Sequence, residues 1–291
     1  MDCPPSVIAC RSVRPEWGAR GRSTAERHRA CFPITVVHTL PSRLASFSNG
    51  LLTPWDDSGF DVAAECWGVC GKTGGGDFFT LAVRAPGHIG VVIGDACGRG
   101  EDGEAQLSRV LPEVRRLALS GATPAELLTE LNRTAAERLP LDRFVTAAAF
   151  EFNMRAGVLT VANAAHVPAI IRRGRGRHVA VVGHPSGMPL GIDASTTYRD
   201  EHHELNLGDV IVLMTDGVLE AVESDLLSMT TLKRLLGEAE DGAADVHRFL
   251  LRKCEECTRG KRVDDMTLLA LEARPEPEPA SGGLSDLAQA S

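Results

Sequence analysis

Short apolar runs of strand length, separated by turns that carry Gly and Pro, dominate the middle of the chain. Phe60–Trp67, Phe78–Arg84 and Ile89–Asp95 read as three successive strands, with Ala85-Pro86-Gly87 turning the chain between the last two. Phe144–Phe152, Val158–Asn163, Val167–Arg172 and His178–Val182 read as a second meander, turned at 153–157, 173–176 and 183–187. Tyr198–Leu205 is polar on both faces, which suits an edge strand. Val210–Thr215 is continuously apolar, as expected of a strand covered on both faces, and Met266–Leu271 closes the set.

Helical periodicity lies between the two strand groups and near the end. Thr123-Pro124-Ala-Glu126 combines an N-cap, Pro in the first turn and Glu at the third position, a strong start signal. Leu127, Leu128, Leu131, Ala135 and Leu139 then form an apolar stripe. Gln106–Leu119 is amphipathic too, and Pro112 is expected to kink or restart it. Ala243–Thr258 carries Val246, Phe249, Leu250 and Cys254 on one face. Strands and helices grouped in this way predict an α+β fold with antiparallel sheets rather than a βαβ alternation.

Composition bounds this picture. Residues 1–49 lack a sustained period and are Arg-rich, and 275–291 open on Pro-Glu-Pro-Glu-Pro, so both read as flexible tails around one unit at 50–274. Residues 1–43 hold seven arginines and three acids, so against a whole-chain charge of −8 the remainder carries about −12. An acidic body is a poor nucleic-acid binder. There is no bilayer-length apolar run and no secretory leader pattern, so a soluble, cytoplasmic protein is expected, with no membrane partner. Cys254 and Cys257 have zinc-like spacing, but no second pair is spaced to complete four ligands, so ordinary thiols are the better reading.

Four acidic segments carry the candidate chemistry. Gly74-Gly-Gly-Asp77 puts a carboxylate at the start of a strand, and Gly94-Asp95-Ala96-Cys97-Gly98 puts one at the end of another. Thr215-Asp216-Gly217 follows the most apolar strand, and Asp264-Asp265-Met-Thr267 precedes the last. Taken singly, Asp-Gly is a common turn dipeptide. Together they are oxygen donors at strand ends, three of the four beside glycine, and oxygen is the donor type that Mg²⁺ and Mn²⁺ prefer.

The order of these segments resembles the metal-dependent protein phosphatases (PPM, type 2C-like), and within them the bacterial SpoIIE/RsbU-like branch. The resemblance runs through Gly75–Phe79, Val92–Gly100, Arg143–Ala147, Ala162–Pro168, Met188–Ile192, Leu207–Val218 and Asp264–Thr267, almost all of 58–272. It implies an α-β-β-α sandwich of two antiparallel sheets, with two divalent cations, Mn²⁺ or Mg²⁺, at one end. Asp95 would bridge them and the Ala96 carbonyl would add a ligand. Asp77, Asp216 and Asp264 would complete the set, with Asp265 the alternative to Asp264. The cations would activate a water for in-line attack on phosphorus, so Asp95 and Asp216 act through it. Cys97 stands where some relatives have a His, so no general acid is carried over. Asn163 and His166 are expected to shape a turn, with Ala165 and Val167 departing from the family's commoner Gly and Pro; Arg99 is only a surface candidate for binding phosphate.

The implied activity is serine/threonine phosphoprotein phosphatase, and the implied substrate a phosphorylated anti-sigma-factor antagonist of the STAS fold. Control would come from a separate activator protein or the N-terminal tail, with residues 101–139 as a switch. Two other classes remain open at this stage: a catalytically degenerate binding or regulatory module, and a hydrolase of small phosphomonoesters. Retention of every acidic position argues against the degenerate module.

Overall fold

The computed structural model describes residues 60–67, 75–98, 100–174, 178–222, 229–258 and 264–274. The predicted tails at 1–49 and 275–291 lie outside them. Among the described residues the strands are β1 (Phe60–Trp67), β2 (Asp77–Ala85), β3 (His88–Ala96), β4 (Val145–Asn153), β5 (Val158–Ala164), β6 (Ala169–Arg172), β7 (Val179–Val182), β8 (Glu201–Glu204), β9 (Val210–Met214) and β10 (Met266–Ala273). The helices are α1 (Glu101–Ala118), α2 (Pro124–Arg138), α3 (Asp216–Val222), α4 (Met229–Glu238) and α5 (Ala243–Thr258). No helix among the described residues is long and apolar enough to cross a membrane.

Two five-stranded sheets form, ordered β1-β10-β9-β6-β7 and β2-β3-β4-β5-β8, and their strands pair antiparallel. Side chains alternate across each strand, so both faces need cover. Val91 and Ile93 of β3 and Ile211 and Leu213 of β9 point into the space between the sheets, where they meet Phe79, Phe150, Leu159 and Leu271. Phe60 of β1 meets Phe152 of β4 edge-on at 5.6 Å, joining the sheets. Val92 and Ala147, one residue out of phase, face Leu107, Val110, Val114, Leu128 and Leu131 of α1 and α2. Val212 and Met214 face Leu232, Leu236, Val246 and Leu250 of α4 and α5. The result is the predicted four-layer α-β-β-α sandwich, and each fully buried Leu, Ile or Phe contributes about 1.5–3 kcal/mol to it.

β4 to β7 do not form one meander. β4 and β5 stay in one sheet while β6 and β7 join the other, so the chain changes sheets at 164–168. Asn163 makes that corner: its Nδ2 donates to the carbonyls of His166 (3.0 Å) and Gly183 (2.7 Å), and its Oδ1 accepts from the His166 N–H at 2.7 Å. Ala165 turns there with φ +56°, an unfavourable value for a residue with a Cβ. The turn-shaping role expected of Asn163 is visible in these bonds. β1 likewise leaves β2 and β3 for the edge of the other sheet.

Pro112 neither stops nor restarts a helix. α1 runs through it for 18 residues and begins five residues earlier than its amphipathic pattern. Interior Pro costs about 3 kcal/mol, and burial of Leu107, Val110, Val114 and Leu117 on the sheet offsets it. α2 begins as predicted, with Thr123 Oγ1 accepting from Glu126 N–H and the Glu126 carboxylate accepting from Thr123 N–H at 3.0 Å. The short helices α3 and α4 were not foreseen, since their apolar stripes are too brief to stand out. Tyr198–Leu205 contracts to the four-residue edge strand β8.

Asn163→Ala, which strands three backbone groups at the corner, should cost about 3 kcal/mol in chemical denaturation, and Thr123→Ala about 1 kcal/mol. A loss at Asn163 no larger than at Thr123 would show that the corner is not held by this side chain.

Candidate metal centre

Each acidic segment ends at the same rim of the sandwich because of how its strand pairs. Asp77 opens β2 and Asp95 lies near the end of β3, and the antiparallel register sets them directly opposite each other. On the other sheet the end of β9 lies beside the start of β10, with Leu268 opposite Met214 and Thr215 N–H donating to the Thr267 carbonyl at 3.0 Å. That pairing brings Asp216, the first residue of α3, to the Asp264-Asp265 pair.

Two glycines let the segments close on one another. A Cβ at Gly76 would run into the Ala96 carbonyl oxygen and Asp95 Oδ1, so only glycine allows so close an approach. A Cβ at Gly217 would run into the Asp265 carbonyl. The Gly76 carbonyl accepts from Ala96 N–H at 3.0 Å, and the Gly76 N–H donates to Asp265 Oδ2 at 3.1 Å.

The five carboxylates differ in setting. Asp77 is 2% exposed, Asp265 is buried, Asp95 and Asp264 are half-buried, and Asp216 is exposed. Asp77 Oδ2 accepts from Thr215 Oγ1 at 2.7 Å and lies 2.9 Å from Thr267 Oγ1. Asp265 is committed to the Gly76 backbone, and Asp264 Oδ1 accepts from the Asp265 N–H at 3.0 Å. Burial, with the charges of Asp216, Asp264 and Asp265 behind it, pushes the Asp95 carboxyl up to about 8. Asp77 is also raised well above the usual carboxylate range, by burial first and then Asp95, against the lowering effect of its two threonine hydrogen bonds. Asp95 is thus the group whose charge couples to all four of the others.

Among the described residues no three His, Cys, Asp or Glu side chains close into ligand geometry by themselves. The donor set nonetheless fits a hard divalent cation. It is all oxygen, burial and mutual charge raise Asp95 and Asp77 so that the rim resists holding every carboxylate ionised, and glycine backbone lets the acidic segments approach where a Cβ would collide. No basic residue appears among the groups that shift Asp95 or Asp77.

The other candidates sit elsewhere. His166 is buried and pushed down to about 4 by desolvation, so it is a neutral imidazole, and its Nδ1 lies 2.9 Å from the Oγ1 of Thr146, the register partner of Asp95 on β4. Cys97 Sγ accepts from Phe144 N–H at 3.2 Å, and Arg99 lies outside the described residues. The Cys254 thiol is buried in α5 and pushed up to about 12 by that burial, which suits a packed thiol rather than a zinc ligand. Thr215, Thr267 and Gly76 were missed by sequence reasoning, although each adjoins a predicted acid or lies two residues away. Their partners are over a hundred residues distant in the chain.

The family model for stage II sporulation protein E (SpoIIE) matches residues 85–274. The chain is 26% identical over 209 residues to the phosphoserine phosphatase RsbU of Bacillus subtilis, a match covering 70% of this chain and 61% of RsbU. The crystal structure of the RsbU and RsbW domains of a Mycobacterium tuberculosis protein superposes with a TM-score of 0.64 at 24% identity, over 76% of this chain and 62% of that one. The catalytic domain of the serine/threonine phosphatase PstP, solved with 2 manganese ions, superposes with a TM-score of 0.54 at 15% identity, over 74% of this chain and 99% of PstP. The chain therefore spans less than two thirds of RsbU. With its sandwich, its rim of carboxylates and a family match running from the last residue of β2 to the end of β10, the chain belongs to the SpoIIE family and has the type 2C-like phosphatase fold.

Proposed function

We propose that the chain is a metal-dependent serine/threonine phosphoprotein phosphatase, with residues 50–274 as its catalytic domain and a phosphorylated STAS-domain anti-sigma-factor antagonist as its cytoplasmic substrate. The observation that carries this reading is the convergence of Asp77, Asp95, Asp216, Asp264 and Asp265, from four separate segments, on one sheet rim. In this reading Asp95, coupled to every other carboxylate, would be the central residue holding two divalent cations, either Mn²⁺ or Mg²⁺. Asp77, Asp216, Asp264 and the Ala96 carbonyl complete the ligands. Each of the paired acids accepts one backbone N–H, and Asp264, half-buried where Asp265 is buried, is taken as the ligand with Asp265 the alternative. Cations held there would offset charge on the phosphoryl oxygens and make a water a better nucleophile at phosphorus.

The protein's own part is to hold acids together that repel one another, and to leave them reachable. Asp216 is exposed and Asp95 and Asp264 are half-buried, an open rim that suits a phosphorylated side chain on a protein surface. The likeness to RsbU, a phosphoserine phosphatase, supports the phosphoserine specificity. A separate activator protein, acting on residues 101–139, fits the contact of α1 with the rim: a Cβ at Gly103 would crowd the Gly76 backbone.

Asp216→Asn should reduce Mn²⁺-dependent hydrolysis of an aryl phosphate by more than the about 10- to 100-fold typical of residues behind a metal's direct ligands. Equal activity in the variant and wild type would sink the catalytic reading.

A second expectation concerns pH. The folded Asp95 carboxyl, raised to about 8, keeps a proton that the unfolded chain loses near the ordinary carboxylate value. Metal-free stability therefore falls as pH rises from about 4 to about 8. Mg²⁺ competes with that proton, so the rise in melting temperature on adding Mg²⁺ should grow across the same window. Asp95→Asn should flatten both trends; a Mg²⁺ effect independent of pH would count against Asp95 as a ligand.

A further inference from the structure

The Asp77 carboxylate belongs to β2, but the groups that hold it belong to the opposite sheet. Thr215 follows β9 and Thr267 lies in β10, and both hydroxyls reach the same carboxylate oxygen, Oδ2, at 2.7 and 2.9 Å. Each threonine hydroxyl has one hydrogen to give. Thr215 Oγ1 accepts from the Thr267 N–H at 2.9 Å, so its hydrogen is directed to Asp77. Thr267 Oγ1 has two neighbours at 2.9 Å, Asp77 Oδ2 and the Cys66 Sγ of its register partner on β1. A carboxylate is the stronger acceptor, so Thr267 donates to Asp77 and the Cys66 S–H donates to Thr267 Oγ1. The donors therefore run inward from Cys66 S–H through Thr267, and from the Thr267 N–H through Thr215, to one oxygen.

Buried acids are usually paired with Arg or Lys. Here, among the described residues, the groups acting on Asp77 are two hydroxyls and two further carboxylates. Neutral donors fix the direction of a carboxylate without cancelling its charge, which leaves that charge for a cation. We propose that Thr215 and Thr267 are positioning residues for the metal centre: by occupying Oδ2 from across the sandwich they set the rotation of the Asp77 carboxylate, with Cys66 as the outer donor. The inference rests on the reading of Asp77 as a cation ligand.

The test is Mn²⁺ binding by calorimetry to the full chain, with the metal-free melting temperature alongside. Thr215→Val and Thr267→Val keep the shape and delete the hydroxyl. Each should weaken Mn²⁺ binding by about 10- to 100-fold, while kcat at saturating Mn²⁺ falls much less. Thr215→Ser and Thr267→Ser, which retain the hydroxyl, should restore binding. Cys66→Ala, which removes only the outermost donor, should weaken binding less than either Val variant. Should a Val variant not fold, the Ala and Ser variants at the same site both lack the methyl, so the difference between them isolates the hydroxyl. Val or Ala variants that bind Mn²⁺ as wild type does, while Asp77→Asn does not, overturn the positioning role alone. Wild-type binding by Asp77→Asn overturns the ligand reading of Asp77 itself.

Discussion

Carboxylates gathered at one rim repel one another, and every other feature of this molecule is arranged around keeping them there. Burial and mutual charge push Asp95 up to about 8 and raise Asp77 as well, so in the absence of a cation the rim opposes folding. The opposing force is ordinary. Both sheets are apolar on both faces, and the three resulting layers of contact are far larger than the rim. A fold with a single, one-sided core would have less to set against that repulsion.

The rim also has to be built from two sheets at once. Asp77 and Asp95 come from one sheet, and Asp216, Asp264 and Asp265 from the ends of strands in the other. Within a sheet the backbone ladder fixes relative position to a fraction of an ångström. Between sheets only side-chain packing does so, and packing tolerates sliding. Polar links across the gap remove that freedom: Thr215 and Thr267 to Asp77, and Asp265 to the Gly76 N–H. The corner at Asn163, where the chain passes between sheets, serves the same end behind the rim.

α1 ties the rim to the outer helical layer. Its first turn comes so near the Gly76 backbone that Gly103 has no room for a side chain, and its later turns are packed on β3 through Val110 and Val114. A shift of α1 would therefore be felt at the segment that carries Asp77. Pro112 leaves the helix continuous and so does not uncouple its two halves.

The sequence by itself determined which segments are strands, which faces of α1, α2 and α5 are apolar, and that every acidic segment lies at a strand end, three of the four beside glycine. Those properties follow from residue-to-residue periodicity and turn chemistry, which act over a few positions. It did not determine which strands share a sheet. β1 and the β6–β7 hairpin went to the other sheet, because partner choice depends on burial summed over the whole chain rather than on any local run. Nor did it mark the Gly76 N–H as the partner of Asp265, or Thr215 and Thr267 as partners of Asp77. Those contacts join residues 138 to 190 positions apart. Such pairs exist only once the two sheets have packed, so only the tertiary structure could decide them.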